Sequence, residues 1–307
     1  MSALTVSKEE EKRLKGQGFL NNRGTDEFSA RVITVNGKVT AAQHRCMAEA
    51  AEKFGNGNLT YTTRLSVEIQ GIPYEKIEEF QEFIAKEGLE TGGTGAKVRP
   101  VVSCKGTTCQ YGLLDSYAIS EEIFRRFYKG YRQVALPHKF KIAVGGCPNN
   151  CVKPNLNDVG IIGQRIPHFD REACKGCKKC AIEAACPNKV AKVVDGKLHI
   201  DEELCRHCGR CVGKCPFHSI PDGTYGFKIY IGGRWGKKIS HGKALNRIFT
   251  SEEEALDVIE KAILLFKDQG LKGERFAETI ERIGFENAEK QLLEKNLLER
   301  KMEILSK

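Results

Sequence analysis

Twelve of the thirteen cysteines fall into three groups of four, and their spacing constrains this chain more than any other feature. Cys174, Cys177, Cys180 and Cys186 read C-x2-C-x2-C-x5-C-P, and Cys205, Cys208, Cys211 and Cys215 read C-x2-C-x2-C-x3-C-P. The third group is split: Cys104 and Cys109 stand in CKGTTC, and Cys147 and Cys151 in CPNNC. A C-x2-C-x2-C run lets three thiolates from one loop cap three irons of a cubane. Structural zinc also uses C-x2-C pairs, but a third cysteine at +3 and a terminal Cys-Pro favour iron–sulfur clusters. Three quartets predict three metal centres, one unlike the other two.

The chain has 307 residues, 40% of them hydrophobic, enough for two or three domains with a sizeable core. No apolar run approaches the length of a membrane span. The opening MSALTVSKEEEKRLK lacks the apolar stretch of a secretory signal, so a cytoplasmic protein is expected. Thiols there stay reduced, which favours metal binding over disulfides. The formal charge of +9 does not point to nucleic acid. Each cubane with its four thiolates carries about −2, so three contribute roughly −6 against that excess. The basic residues are scattered and no nucleic-acid motif is present.

Residues 30–40 read as two short strands around an Asn-Gly turn, and residues 41–54 as a helix ended by Gly55. Residues 59–71 alternate closely, predicting one half-buried strand with Arg64 central on its polar face. A helix follows Pro73 and ends at Gly88, and TGGTG at 91–95 reads as a hinge. Strands are expected over 98–103 and 139–147, and a helix over 118–129. Ser251 and Glu254 form a capping box for a helix closed by Gly270, and 274–305 is helical. Strands and helices mix without strict βαβ order, so the fold class is α+β. Cys46, alone on a helix among alanines, reads as a small buried hydrophobe.

The two C-x2-C-x2-C runs resemble the bacterial two-cluster ferredoxin signature, in which each fourth thiolate comes from the other run. That assigns Cys174, Cys177, Cys180 and Cys215 to one cluster, and Cys205, Cys208, Cys211 and Cys186 to the other. His207, between ligands, is expected to be a neighbour of the cluster and not a ligand. The split quartet and its surroundings resemble siroheme-dependent sulfite and nitrite reductases. RLSVEIQGI at 64–72 is similar to that family's TTRQ-x-x-Q-x-x-G-I strand, and ARVITVNGKVTAAQ at 30–43 to its R-x-R-V-P-G-G segment. LPHKFKIAVGGCPNNC at 136–151 is similar to its L-P-R-K-F-K stretch and second cysteine pair, and KGERFAETIERIGFE at 272–286 to its C-terminal segment. The combination looks most like the anaerobic sulfite reductase C subunit and the small sulfite-reductase-like proteins of anaerobes.

The resemblance implies a ferredoxin-like half-domain over 1–72, a siroheme and 4Fe–4S domain over 73–169 and 223–307, and an inserted two-cluster ferredoxin over 170–222. It implies that Cys104, Cys109, Cys147 and Cys151 hold one cluster, with Cys151 also ligating the siroheme iron. It implies that Arg31, Arg64, Lys139 and Lys141 surround the substrate anion. The residues support this: in a strand, Lys139 and Lys141 share a face with Cys147, and ammonium groups about 7 Å apart repel unless an anion lies near them. Arg234, Lys237 and Lys238 of GGRWGKK are candidates for the siroheme carboxylates; Lys153, Thr107 and Thr108 are weaker ones. The family has five residues between its first two cysteines, and CKGTTC has four, a tighter loop that Gly106 permits.

The expected activity is six-electron reduction of sulfite to sulfide, fed through the ferredoxin insert, with nitrite reduction to ammonia as the close alternative. A siroheme-free electron carrier, or a scaffold whose partner holds the active site, is the reading from another class; a haem spectrum separates them. No G-x-G-x-x-G fingerprint or flavin motif is present, so a ferredoxin or flavoprotein donor is expected. Larger siroheme reductases pack two related modules about a pseudo-twofold axis, so a homodimer or hetero-assembly is expected for a single one.

Overall fold

The computed structural model describes residues 6–307, which divide into two units. One comprises residues 6–103, 118–143 and 259–307, the other 104–117 and 144–258.

The first unit is built on a four-stranded antiparallel sheet of β1 (Phe19–Asn21), β2 (Glu27–Val32), β3 (Leu59–Tyr61) and β4 (Val67–Pro73), in the order β1-β2-β4-β3. Helix α1 (Lys8–Gly16) precedes it, capped by the Ser7 hydroxyl, which accepts from Glu10 N at 3.2 Å. Helix α2 (Ala41–Phe54) opens on a Thr40–Gln43 capping box that satisfies two otherwise orphaned N–H groups. It turns Cys46, Met47, Ala50, Ala51 and Phe54 into the core, and α3 (Ile77–Ala85) adds Ile77, Phe80 and Ile84. Phe80 meets Phe19 and Phe54 edge-on at 6.1 and 6.0 Å. Each large apolar side chain buried in this way stabilises the fold by about 1.5–3 kcal/mol.

Several elements differ from the sequence expectation. The 30–40 segment forms one strand, β2, then a tight turn in which Val35 bridges Lys38 across Asn36 and Gly37, at φ 53° and 84°. Residues 59–71 are a hairpin and not a single strand: β3 and β4 pair Leu59 with Ile69 and Tyr61 with Val67. Thr62 N donates to Ser66 O at 2.9 Å, and Leu65 takes a left-handed φ of 61°. Arg64 therefore stands in the turn. A 3-10 turn (Tyr74–Lys76) separates Pro73 from α3. The helix α4 (Ser116–Ile123) runs on into a π-helical turn (Phe124–Lys129). The strand expected over 98–103 is confined to β5 (Val102–Ser103), and that over 139–147 to β6 (Ile142–Gly145).

Helix α6 (Glu252–Gln269) starts at Ser251, whose hydroxyl accepts from Glu254 N, and stops at Gly270, whose N–H returns to Phe266 O at 3.0 Å. Four helices follow: α7 (Phe276–Ile283), α8 (Phe285–Leu293), α9 (Asn296–Glu299) and α10 (Lys301–Ser306). Phe140 packs on Phe266 and Phe276 at 5.8 and 5.2 Å and so anchors the segment that carries Lys139 and Lys141.

In the second unit β10 (Gly223–Ile231) pairs along its full length with β7 (Val159–Pro167) and on its other edge with β11 (Lys243–Phe249). Gly223 lies opposite Pro167, so residues 168–222 leave and return at adjacent strand ends. This segment holds α5 (Ala181–Ala185) and a hairpin of β8 (Ala191–Val194) with β9 (Lys197–Ile200). It has its own apolar cluster of Cys174, Ile182, Ala191, Leu198 and Ile220. Among the described residues no helix is long and apolar enough to cross a membrane.

Candidate metal centres and anion site

The split quartet is assembled in the second unit by two glycines set back to back. A Cβ on Gly146 would lie 2.7 Å from Gly106 Cα and 3.4 Å from Cys104 Sγ, and one on Gly106 would lie 2.8 Å from Gly146 Cα. Only hydrogen at both positions lets the two cysteine loops approach this closely. Gly146 N donates to Cys104 Sγ at 3.0 Å, and Cys104 N to Val144 O at 3.1 Å. A 3-10 turn (Gly106–Thr108) takes up the four-residue spacing. Ser116 Oγ donates to Cys104 O at 2.7 Å and Thr107 Oγ1 to Asp115 at 2.6 Å. Thr108 Oγ1 donates to Lys105 O. The two threonine hydroxyls are thus engaged in holding the loop. Burial pushes the Cys147 thiol up, the Asn149 N–H opposes that, and Cys104, Cys151 and Cys109 raise it further. All four thiols therefore lie within electrostatic range, with Cys151 the exposed one.

The 168–222 segment brings its cysteines together across the two runs. Burial raises the Cys211 thiol to about 11, with added repulsion from Cys208, Cys205 and Cys186. Cys205 is raised by burial and by the same neighbours Cys208 and Cys186. Cys186 of the first run thus sits with three cysteines of the second. Cys174 is buried, and Leu198 N donates to its Sγ at 3.4 Å. At Cys215 burial acts upward, but hydrogen bonds from Ser219, Phe217 and His218 prevail and lower the thiol. Cys177 and Cys180 are half-buried. His207 takes a left-handed φ of 47° and its Nδ1 has no hydrogen-bond partner. Among the described residues no three His, Cys, Asp or Glu side chains converge as ligands of a single ion. Four cysteine thiolates are the donor set a 4Fe–4S cubane uses.

The four expected cations lie in the first unit, all half-buried. Arg31 on β2 pairs with Glu68 of β4, its Nε 2.9 Å from Glu68 Oε1. Arg64 donates to Pro100 O at 2.6 Å and to Ile142 O at 3.0 Å. Lys139 and Lys141 flank buried Phe140 just before β6. Two further arginines join them. Arg99 is lowered to about 10, by burial first and then by Arg31 and Arg275. His138 is also lowered by burial, with Lys139, Arg275 and Arg99 adding to it. Positive charge gathered around Arg99 and His138 in a half-buried place favours an anion nearby. Sequence reading missed Arg99, Arg275 and the Glu68 partner of Arg31. Glu68 carried a signal, since it stands where the TTRQ-x-x-Q pattern has its second glutamine.

The GGRWGKK segment belongs to the second unit. Gly233 packs where a Cβ would lie 2.4 Å from Asn155 O, and Arg234 is buried, its backbone bridged to Ser240. Lys237 and Lys238 are exposed in the loop between them, and Lys153 is exposed at φ 49°. One buried guanidinium and two exposed ammonium groups in one short segment form a donor set that fits a group rich in carboxylates.

Three groups of four cysteines in one unit are the donor sets of an iron–sulfur protein. The model of the nitrite and sulphite reductase 4Fe-4S domain matches residues 94–301, and that of the nitrite/sulfite reductase ferredoxin-like half domain matches 21–87. The chain belongs to the nitrite and sulphite reductase family. It is 32% identical over 269 residues to uncharacterized protein MJ0551 of Methanocaldococcus jannaschii, covering 88% of this chain and 92% of that one. It is 29% identical over 240 residues to the coenzyme F420-dependent sulfite reductase of the same organism, covering 77% of this chain but 37% of that protein. The alpha subunit of the dissimilatory-type sulfite reductase of Allochromatium vinosum is 27% identical over 269 residues, 81% of this chain and 64% of that one. Among solved structures, dissimilatory sulfite reductase I superposes with a TM-score of 0.69 at 23% identity, over 87% of this chain and 69% of that one. The NirA protein of Mycobacterium tuberculosis gives 0.67 at 19% identity, over 96% and 48%.

Proposed function

We propose that the protein reduces sulfite to sulfide in a six-electron reaction, with siroheme and three 4Fe–4S clusters as cofactors. The observation that carries this reading is the gathering of Cys104, Cys109, Cys147 and Cys151 by the Gly106–Gly146 contact, in a chain of the nitrite and sulphite reductase family. These four cysteines hold one cluster. Cys174, Cys177, Cys180 and Cys215 hold a second, and Cys186, Cys205, Cys208 and Cys211 a third, in a ferredoxin domain inserted over 170–222. Siroheme, when bound, supplies an iron with an open face for the substrate. Cys151, the exposed thiol of its quartet, would also hold the siroheme, and Arg234, Lys237 and Lys238 would bind its carboxylates. Arg31, Arg64, Lys139 and Lys141 bind the anion and stabilise the negative charge that grows on each departing oxygen. Glu68 draws off part of the Arg31 charge and orients its guanidinium.

Nitrite remains the alternative substrate, because cations placed for one small oxyanion serve another. The F420-dependent relative is matched over only 37% of its length, so its donor is not carried over. A one-electron ferredoxin or flavoprotein donor is proposed in its place. The test combines an absorption spectrum, an iron count and turnover of sulfite and nitrite with reduced viologen. The expected result is a haem band, about twelve cluster irons plus one siroheme iron, and sulfide as product. A count near eight with no haem band sinks the assignment and leaves a ferredoxin-like carrier.

A further inference from the structure

Backbone pairing in the first unit brings one histidine into the cation group. Arg31 Nη1 and Arg99 Nη1 donate to the same carbonyl, Gly93 O, at 3.4 and 2.5 Å. Two guanidiniums that share one acceptor stand side by side. Arg99 N donates to Phe140 O at 2.8 Å and Phe140 N to Lys97 O at 3.0 Å. The 97–99 segment therefore lies along the one that carries His138, Lys139 and Lys141. Gly273 N donates to Pro137 O at 3.0 Å, which ties the approach to α7, with Arg275 and Glu278, to the residue before His138. His138 is half-buried, and its Nδ1 accepts from Lys139 N at 2.7 Å. A ring nitrogen that accepts holds no proton, so the ring is neutral in this arrangement. The charged groups that face it come from three segments: Lys139 beside it, Arg99 from 97–99, and Arg275 with Glu278 from α7. Burial first, and then the three cations, hold its proton affinity down; Glu278 opposes them.

We infer that the anion site binds a proton together with its anion, and that His138 holds this proton. An anion among the cations offsets the repulsion that keeps the ring neutral, and so favours the imidazolium. The proton comes from solvent and forms one N–H bond on Nδ1; no other covalent bond changes. The protonated ring no longer accepts from Lys139 N and gains a second donor for oxygens of the anion. Linkage fixes the sign. The anion-bound form holds more protons, so affinity rises as pH falls through the range in which the ring titrates. Arg99, brought down to about 10, stays charged throughout that range and supplies no such step. Loss of an oxyanion's oxygen as water consumes protons, and a ring charged by the arrival of the anion holds one within the site. The inference rests on the proposed anion site but not on siroheme or turnover.

The experiment is calorimetry of sulfate binding to the cofactor-loaded protein, in buffers of different ionisation enthalpy. Sulfate has no proton of its own to exchange near neutral pH, whereas sulfite does. The parent is expected to take up about half a proton per sulfate at its maximum, and to lose roughly tenfold in affinity from about pH 6 to about pH 8. His138→Gln keeps an acceptor for Lys139 N and is expected to bind sulfate with no proton uptake and a flat pH profile. His138→Arg, charged throughout, is expected to lose the uptake too, and to bind at about pH 8 as the parent does at about pH 6. His199→Gln, exposed on β9, is the control and is expected to behave as the parent. Uptake that survives in both His138 variants places the proton elsewhere and overturns the inference. Sulfate binding without uptake by the parent overturns it as well, and leaves the anion site standing. An absence of saturable sulfate binding by the parent sinks the anion site and this inference with it.

Discussion

Arg64 donates to two main-chain carbonyls, Pro100 O and Ile142 O, from the turn that joins β3 and β4. A residue placed this way carries both fold and charge, and its removal takes a charged donor away from two main-chain carbonyls of buried residues. Arg64→Ala is therefore expected to lower turnover about 10²–10³-fold and stability by about 1–3 kcal/mol. Lys141→Ala is expected to match the loss of turnover with a smaller change in melting temperature, and exposed Lys153→Ala to do little to either. Near-normal reduction of sulfite and nitrite by the Arg64 and Lys141 variants would reduce both to structural charges. Gly146 supports a second residue-scale prediction. Gly146→Ala puts a methyl 2.7 Å from Gly106 Cα, which the loops relieve only by separating. Cluster iron is expected to fall from about twelve to about eight per chain, the insert keeping its two clusters. A full iron count would show that the loops tolerate the methyl.

At the start of α7, Glu274 is held by Arg282 and by the Leu271 N–H and the Thr279 hydroxyl, and its carboxyl drops to about 2 against modest desolvation. A folded value below the ordinary one near 4.5 means that this stabilisation is whole above pH 4.5 and is lost as pH falls toward 2. Protection of the α7 amides, taken relative to intrinsic exchange at each pH, is expected to fall over that window in the parent protein, and the parent and Glu274→Gln to converge at its acid end. Equal exchange of the two proteins at pH 5 would mean the carboxylate contributes nothing to the helix. This element also marks what sequence reading reaches. The cysteine groups could be proposed from sequence because their spacing is local, and Ser251 and Gly270 bound α6 as expected because caps are local. The β3–β4 hairpin could not be: Tyr61 and Val67 keep the same parity across Thr62–Ser66, so alternation alone reads as one strand. Leu65 enters the left-handed region in that turn, where its carbonyl accepts from Thr34, a partner 31 residues away. Arg99 and Arg275 join the cation group only through tertiary folding, which no local pattern records.

The described residues hold one four-stranded sheet, one split cysteine quartet and one turn with the sequence TTR. The matched relatives include proteins named as the alpha and beta subunits of dissimilatory-type sulfite reductases. We propose that this chain likewise acts in an assembly, with a second copy or with a partner protein. A symmetric dimer is the commonest form of assembly, because one patch then serves both partners. A partner protein in place of the second copy is the other form. We therefore expect sedimentation of the cofactor-loaded protein to give a species of about twice the 34.2 kDa chain mass, or a hetero-assembly when its donor is co-expressed. Dilution should lower specific activity as the assembly dissociates, since a folded partner that binds only the native state stabilises it by mass action. A monodisperse species of single-chain mass, fully active at micromolar concentration, would show that one module suffices.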